Sequence, residues 1–195
     1  MHCRSIIGPI TVYEAFLAPF FLHISFFFRT FARKSEYMIK ILFICHGNIC
    51  RSPMAEYIMK QLVEQAGRAD EFEIASAAVS TEEIGNDIYP PAKRMLAAKN
   101  VPFEHRAARQ MTQADYAYYD YIVCMDQSNL RWMRYITGLE PEQDIHSGST
   151  DRKVSLMMAW AGKTRDVADP WYTGDFTKAY EDILEGCQGM LRHTL

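Results

Sequence analysis

Little in this sequence ties it to an oxidising compartment, a nucleic acid or a membrane. Only five of its 195 residues are cysteine. Cys3, Cys45, Cys50, Cys124 and Cys187 are an odd number at irregular spacing with no C-x-x-C unit, which supports neither a disulfide framework nor a zinc ribbon. Free thiols in a reducing cytosol are the simplest account, so a cytoplasmic location and no bound metal are expected. Charge of one sign is nearly balanced, 21 basic against 24 acidic residues, and no block of like charges occurs. A role in coating nucleic acid is thereby disfavoured, and any anion site has to be local. Long apolar runs are also missing. The longest uncharged stretch, residues 15–28, has 14 positions and includes Pro19, His23 and Ser25, whereas a membrane-spanning helix needs about 20. Only Arg4 precedes it as positive charge, and Thr30-Phe31-Ala32 is a poor cleavage site, so it does not read as a signal peptide. No stable membrane association is expected.

The composition is uneven along the chain. Residues 1–37 hold 7 of the 11 phenylalanines, and residues 38–195 carry 17 basic and 22 acidic residues. This places a boundary near Met38. The expectation is an apolar extension over 1–37, a translated upstream region or a poorly folded tail, followed by one domain over 38–195.

That domain opens on Ile39-Lys40-Ile41-Leu42-Phe43-Ile44-Cys45, a nearly continuous apolar run of the kind found in a parallel strand covered on both faces. Ser52 and Pro53 then read as the N-cap and first residue of a helix. Its buried stripe is Ala55, Ile58, Met59, Leu62, Val63 and Ala66, and Gly67 stops it. Residues 72–77 read as a second strand and 91–99 as a second helix, with Met95 and Leu96 inward. Residues 121–125 form a third strand, followed by a helix capped by Asp126, and 154–158 a fourth. A last helix opened by Asp175 carries Phe176, Tyr180, Ile183, Leu184, Cys187, Met190 and Leu191 on one face. Strands alternating with helices predict a three-layer α/β domain, a four-stranded parallel sheet with helices on both faces.

Ligands of such sheets bind beyond the carboxyl ends of the strands. The first strand delivers Cys45-His46-Gly47-Asn48-Ile49-Cys50-Arg51-Ser52-Pro53 to that edge. A loop of this length ending at a helix N-terminus can turn successive N–H groups inward around a tetrahedral oxyanion. Gly47 and Asn48 are residue types that tolerate left-handed backbone. Positive potential at the mouth of such a cradle favours a thiolate, which makes Cys45 a candidate nucleophile. Arg51 supplies a planar fork for two equatorial oxygens of a phosphoryl group. Five cysteines and 13 arginines give roughly 0.3 pairs at this separation by chance, so the pair alone is weak. Its position between a buried strand and a capped helix gives it weight.

On these residues the chain resembles the low-molecular-weight protein tyrosine phosphatases, from about residue 39 to 192. The other matching pieces are Ser76-Ala77-Ala78, Glu83-Ile84-Gly85-Asn86, His105 with Ala108-Arg109-Gln110, Met125-Asp126-Gln127-Ser128-Asn129-Leu130, Asp169-Pro170-Trp171-Tyr172, and Gly174-Asp175-Phe176. The resemblance implies a cofactor-free phosphatase acting on phosphotyrosine in proteins through a cysteinyl-phosphate intermediate, inhibited by phosphate or vanadate. It implies a phosphate cradle running from His46 to Ser52, including Ile49 and Cys50, and Asp169 as proton donor to the leaving oxygen. It gives Ser52 as donor to the Cys45 thiolate, Asn48 with His105 as a brace for the loop, and Trp171, Tyr172 and Tyr57 as an aromatic wall. Cys50 matches a redox partner that traps an oxidised Cys45 as a disulfide.

Two positions depart from the family pattern. His46 stands where an apolar residue is common, able to favour the thiolate or touch substrate, and uncharged Ala168 precedes Asp169 where many relatives carry an acid. Rival readings are an arsenate reductase, which needs two further cysteines that Cys124 and Cys187 are poorly placed to supply, and a protein arginine phosphatase, whose branch carries threonine at the place of Ile49. A phosphotyrosine-binding module without turnover is the third, and the retention of Cys45, Arg51 and Asp169 speaks against it.

Overall fold

The computed structural model describes residues 38–138 and 153–194; the extension over 1–37 lies outside the described residues. Four strands, β1 (Ile39–Cys45), β2 (Phe72–Ala78), β3 (Tyr121–Cys124) and β4 (Val154–Leu156), form one parallel sheet in the order β2-β1-β3-β4. β1 is central, as its unbroken apolar run requires. Ile41 to Ile44 are fully buried, with Ile41 and Phe43 on one face and Leu42 and Ile44 on the other. Each such side chain withdrawn from water contributes about 1.5–3 kcal/mol.

The first face is covered by α1 (Arg51–Gln65), α2 (Pro90–Ala98) and the long C-terminal α6 (Phe176–Thr194). The second carries α3 (Gln113–Tyr118) and α4 (Gln127–Thr137), whose Leu130 and Met133 close over Ile122 and Cys124. A single turn, α5 (Pro170–Thr173), leads into α6. Three layers and four parallel strands are as expected, and Asp126 and Asp175 do open their helices, accepting the Asn129 and Lys178 N–H groups at 2.7 and 2.8 Å.

Two local expectations are corrected and one element is new. Helix α1 begins at Arg51 with Cys50 at the N-cap and no side-chain cap, so Ser52 and Pro53 lie inside the first turn. Proline is tolerated there because the first N–H groups of a helix lack intrahelical partners, and the Ser52 hydroxyl is spent elsewhere. The fourth strand stops at Leu156 and becomes a 3₁₀ turn, Met157–Ala161, ended by Gly162 in the left-handed region. Helix α3 escaped the sequence reading. Its signal was Thr112-x-x-Asp115, which forms a capping box in which each side chain accepts the other residue's N–H.

Helix α6 backs directly onto the 3₁₀ turn. A methyl group on Gly189 would fall inside contact distance of the Trp160 carbonyl, which is backbone and cannot swing aside. Gly189→Ala is therefore expected to cost about 2–3 kcal/mol of unfolding free energy, as overpacked cores do, read as a lowered urea midpoint at unchanged slope.

Candidate active site

β1 ends on Cys45, and the chain then turns through residues 46–50 into α1. The Cys45 Sγ sits 3.0 Å from Ser52 Oγ and accepts the Asn48 N–H at 3.3 Å. Ser52 Oγ in turn accepts from Asn48 Nδ2 at 2.9 Å, so its own proton is directed away from Asn48 and is available to a charged sulfur. This hydroxyl, expected as a helix cap as well, serves the sulfur instead.

Asn48 is the residue that holds the loop in shape. Its φ is +59°, which asparagine tolerates better than most residues. Its buried amide donates to Ser52 Oγ and Ser76 Oγ, both at 2.9 Å, and its Oδ1 accepts from Arg106 Nη2 at 2.8 Å and from the Arg109 N–H at 3.2 Å. All four valences of the side chain are filled. Ser76 Oγ accepts from Arg106 Nη1 at 2.9 Å and donates to the buried Glu56 at 2.6 Å, which extends the network under the loop into α1. Gly47 does not take the left-handed region; a Cβ there would lie 2.9 Å from Glu83 Cγ, so a larger residue would displace the Glu83 side chain.

The expected Asn48–His105 brace is not formed. The His105 side chain is 86% exposed, its Nε2 3.7 Å from an Asp87 oxygen. Arg106 occupies that role. Of the two neighbours, Arg106 turns inward to Asn48 and Ser76 while His105 faces solvent.

Arg51, the first residue of α1, is only 2% exposed. Nη1 donates to Asp126 Oδ2 at 2.6 Å and to the Val167 carbonyl at 3.2 Å, and Nη2 donates to Asp169 Oδ2. Burial disfavours its charge, but Cys45, Asp169 and Asp126 outweigh burial and raise its pKa above the ordinary guanidinium value. Asp169 lies before Pro170 as the sequence indicated. Its Oδ1 caps α5 by accepting the Trp171 N–H at 3.1 Å.

Cys45, Arg51 and Asp169 thus line one cavity of about 120 Å³, with Trp171 and Tyr172 on its wall. His46, Ile49 and Cys50 also face it. Tyr57 does not. Its hydroxyl donates to the Glu104 carbonyl at 3.4 Å and its ring packs near Phe103, beside a separate groove. Tyr57 is six residues past Arg51, and at about 100° per residue the helix turns it some 120° away. Tyr89 supports the wall instead, its ring 5.0 Å from that of Trp171 and its N–H donating to the Ile49 carbonyl at 2.8 Å. Burial, reinforced by the charge of Cys45, pushes the Cys50 thiol well above the ordinary range, so it stays protonated.

The family model described as low molecular weight phosphotyrosine protein phosphatase matches residues 40–195. The chain belongs to that family. It is 34% identical over 154 residues to the low molecular weight protein-tyrosine-phosphatase YfkJ of Bacillus subtilis, covering 79% of this chain and 94% of that one. It is likewise 34% identical over 157 residues to the low molecular weight phosphotyrosine protein phosphatase of Rattus norvegicus, with the same coverage. The crystal structure of YfkJ superposes with a TM-score of 0.73 at 30% identity, over 82% of this chain and 96% of that chain. That of the Drosophila arginine phosphatase gives 0.68 at 29%, over 80% and 98%.

The sequence reading missed Asp126 and Arg106 as parts of this phosphatase site. Arg106→Ala is expected to cost about 2 kcal/mol, because it strips two buried acceptors of a charged donor, and to lower turnover of nitrophenyl phosphate. His105→Ala is expected to change unfolding free energy by less than about 0.5 kcal/mol. Asp87 anchors the same segment, accepting the N–H groups of Ile88 and Arg106 and the Lys93 ammonium. Burial opposes its ionisation, but these donors prevail and lower its pKa from 3.8 to about 2. The stabilisation is complete above the unfolded value and lost as pH falls toward 2. Asp87→Asn should therefore lower the thermal midpoint clearly at pH 7 and much less at pH 2, measured by circular dichroism.

Proposed function

We propose that residues 38–195 hydrolyse phosphotyrosine in proteins, and small aryl phosphates, with Cys45 as nucleophile, Arg51 as phosphoryl clamp and Asp169 as proton donor, in the cytoplasm. The observation that carries this reading is the convergence of the three on one cavity with an aromatic wall. No helix among the described residues is long and apolar enough to cross a membrane.

A phosphoryl group entering the cradle takes over the Arg51 Nη2–H from Asp169 and meets the Cys45 sulfur from below. The reactive form pairs a Cys45 thiolate with an Asp169 that is protonated once it has left Arg51; sulfur attacks phosphorus, the P–O bond to the phenol breaks, and Asp169 delivers that proton to the departing oxygen. The cysteinyl phosphate is then cleaved by water, whose proton returns to Asp169, releasing inorganic phosphate and the thiolate. Ser52 Oγ and the Asn48 N–H stabilise that thiolate at both stages. Arg51 holds two equatorial oxygens, fixed from behind by Asp126, and the cavity depth favours a flat phenolic ester. Phosphate and vanadate compete for the same cradle. Cys50, on the same cavity, can close a disulfide on an oxidised Cys45 by losing its own proton and expelling water from the sulfenic acid, a step that burial of its thiol slows.

A second reading, removal of phosphate from protein arginine, is favoured by the likeness to the Drosophila enzyme and disfavoured by the branched apolar Ile49. Phosphate release from matched phosphotyrosyl and phosphoarginyl peptides separates the two.

Cys45→Ser should lower turnover to below a few per cent while retaining vanadate binding, because a hydroxyl is not ionised at neutral pH. Asp169→Asn should slow phosphotyrosine, whose leaving group has a pKa near 10, by about 10²–10⁴-fold, and the more acidic nitrophenol far less. Single-turnover rates on both substrates measure this. Equal slowing would assign the proton to another residue.

A further inference from the structure

One side of the cavity mouth carries groups that the chemistry above does not use. His46, in the loop itself, has its Nε2 2.9 Å from Glu82 Oε2, and the edge of its ring meets Trp132 at 6.2 Å between centroids, the planes at 79°. Carboxylate, imidazole and indole so form a strip running from the cavity onto α4. The strip is open to solvent. Glu82 is 70% exposed in its side chain, and Trp132 is 48% exposed, unusual for so large an apolar surface beside a site. Beyond it Tyr135 continues the aromatic surface, and there the chain's own Arg134 already lies over the ring at 4.6 Å, donating to the Tyr135 hydroxyl at 2.6 Å.

The geometry points to a second subsite at which Glu82 and Trp132 bind a lysine or arginine side chain flanking the phosphotyrosine of the substrate. This inference rests on the phosphatase reading. With the phosphorylated ring in the cavity, the substrate backbone leaves at the mouth and advances about 3.3–3.6 Å per residue, so a side chain within two positions reaches the strip. A carboxylate and an indole on either side of one imidazole suit a long cationic side chain. The charged head pairs with Glu82 while the aliphatic stem or guanidinium plane lies on Trp132, and arginine fits better than lysine because its plane stacks. His46 is the positioning residue that holds Glu82 toward the strip. The charge around the mouth agrees: Glu83 also lines the cavity, neither a lysine nor an arginine other than the buried Arg51 does, and the domain carries an excess of acid. Acidic flanks are accordingly disfavoured.

The test uses three phosphotyrosyl peptides identical except for one residue beside the phosphotyrosine, arginine, its neutral isostere citrulline, or glutamate, with nitrophenyl phosphate as a substrate lacking any flank. In the full-length protein kcat/KM for the arginine peptide is expected to exceed that for citrulline about tenfold at low salt, from one exposed ion pair and one cation–π contact, and to shrink toward twofold in high salt. The arginine-to-citrulline ratio, which cancels effects common to both peptides, should fall toward 1 in Trp132→Ala and in Glu82→Gln, and Glu82→Lys should favour the glutamate peptide. A ratio near 1 in the unmodified protein, or one that survives both substitutions, overturns the subsite. If nitrophenyl phosphate and the citrulline peptide are still hydrolysed, the phosphatase reading stands without it. Failure to hydrolyse any of the four substrates overturns both.

Discussion

Arg51 bears a full positive charge in a place almost closed to water, and an uncompensated buried charge would cost several kcal/mol. The compensation comes from two carboxylates at the carboxyl edge of the sheet, Asp126 just past β3 and Asp169 in the turn before α6, with the Val167 carbonyl between them. The site therefore cannot form until the three parts of the chain that carry these groups have come together. Asp126 is tied twice, since the oxygen not given to Arg51 caps α4. The stability of a helix and the aim of a guanidinium share one side chain.

Beneath that charge lies a second network, centred on the Asn48 amide, with the same logic. Asn48 must sit at positive φ, and that conformation is held because every polar atom of its amide has a partner on β2, on α1 or in the segment around Arg106. Fully satisfied buried networks specify one geometry, whereas partly satisfied ones are costly. The loop is rigid for that reason, although its own sequence is short and contains a glycine.

The order of elements was legible because each rests on a local pattern: the apolar run of β1, the stripe of α1, and the aspartates that open α4 and α6. The loop was legible because Cys45 and Arg51 lie on one contiguous segment whose two ends were both recognisable. What sequence could not give is the pairing of distant groups. Asp126 was correctly read as a cap, but nothing local indicates where its second oxygen points. Arg106 and His105 are adjacent and both polar, and only the fold decides which turns inward. Tyr57 was misplaced by ignoring helix phase, and Tyr89, before two prolines, offers no pattern that announces an aromatic support.

Asp169 accepts a guanidinium hydrogen of Arg51 that a phosphoryl group in the cradle would also take. Any anion bound there competes with the Asp169 carboxylate for that hydrogen. Arg51 thus has a standing intramolecular partner, and an anion that leaves returns it to an ion pair rather than exposing a bare buried cation. The ionised form of Asp169 thereby weakens the grip of the cradle on any anion by the cost of breaking that pair.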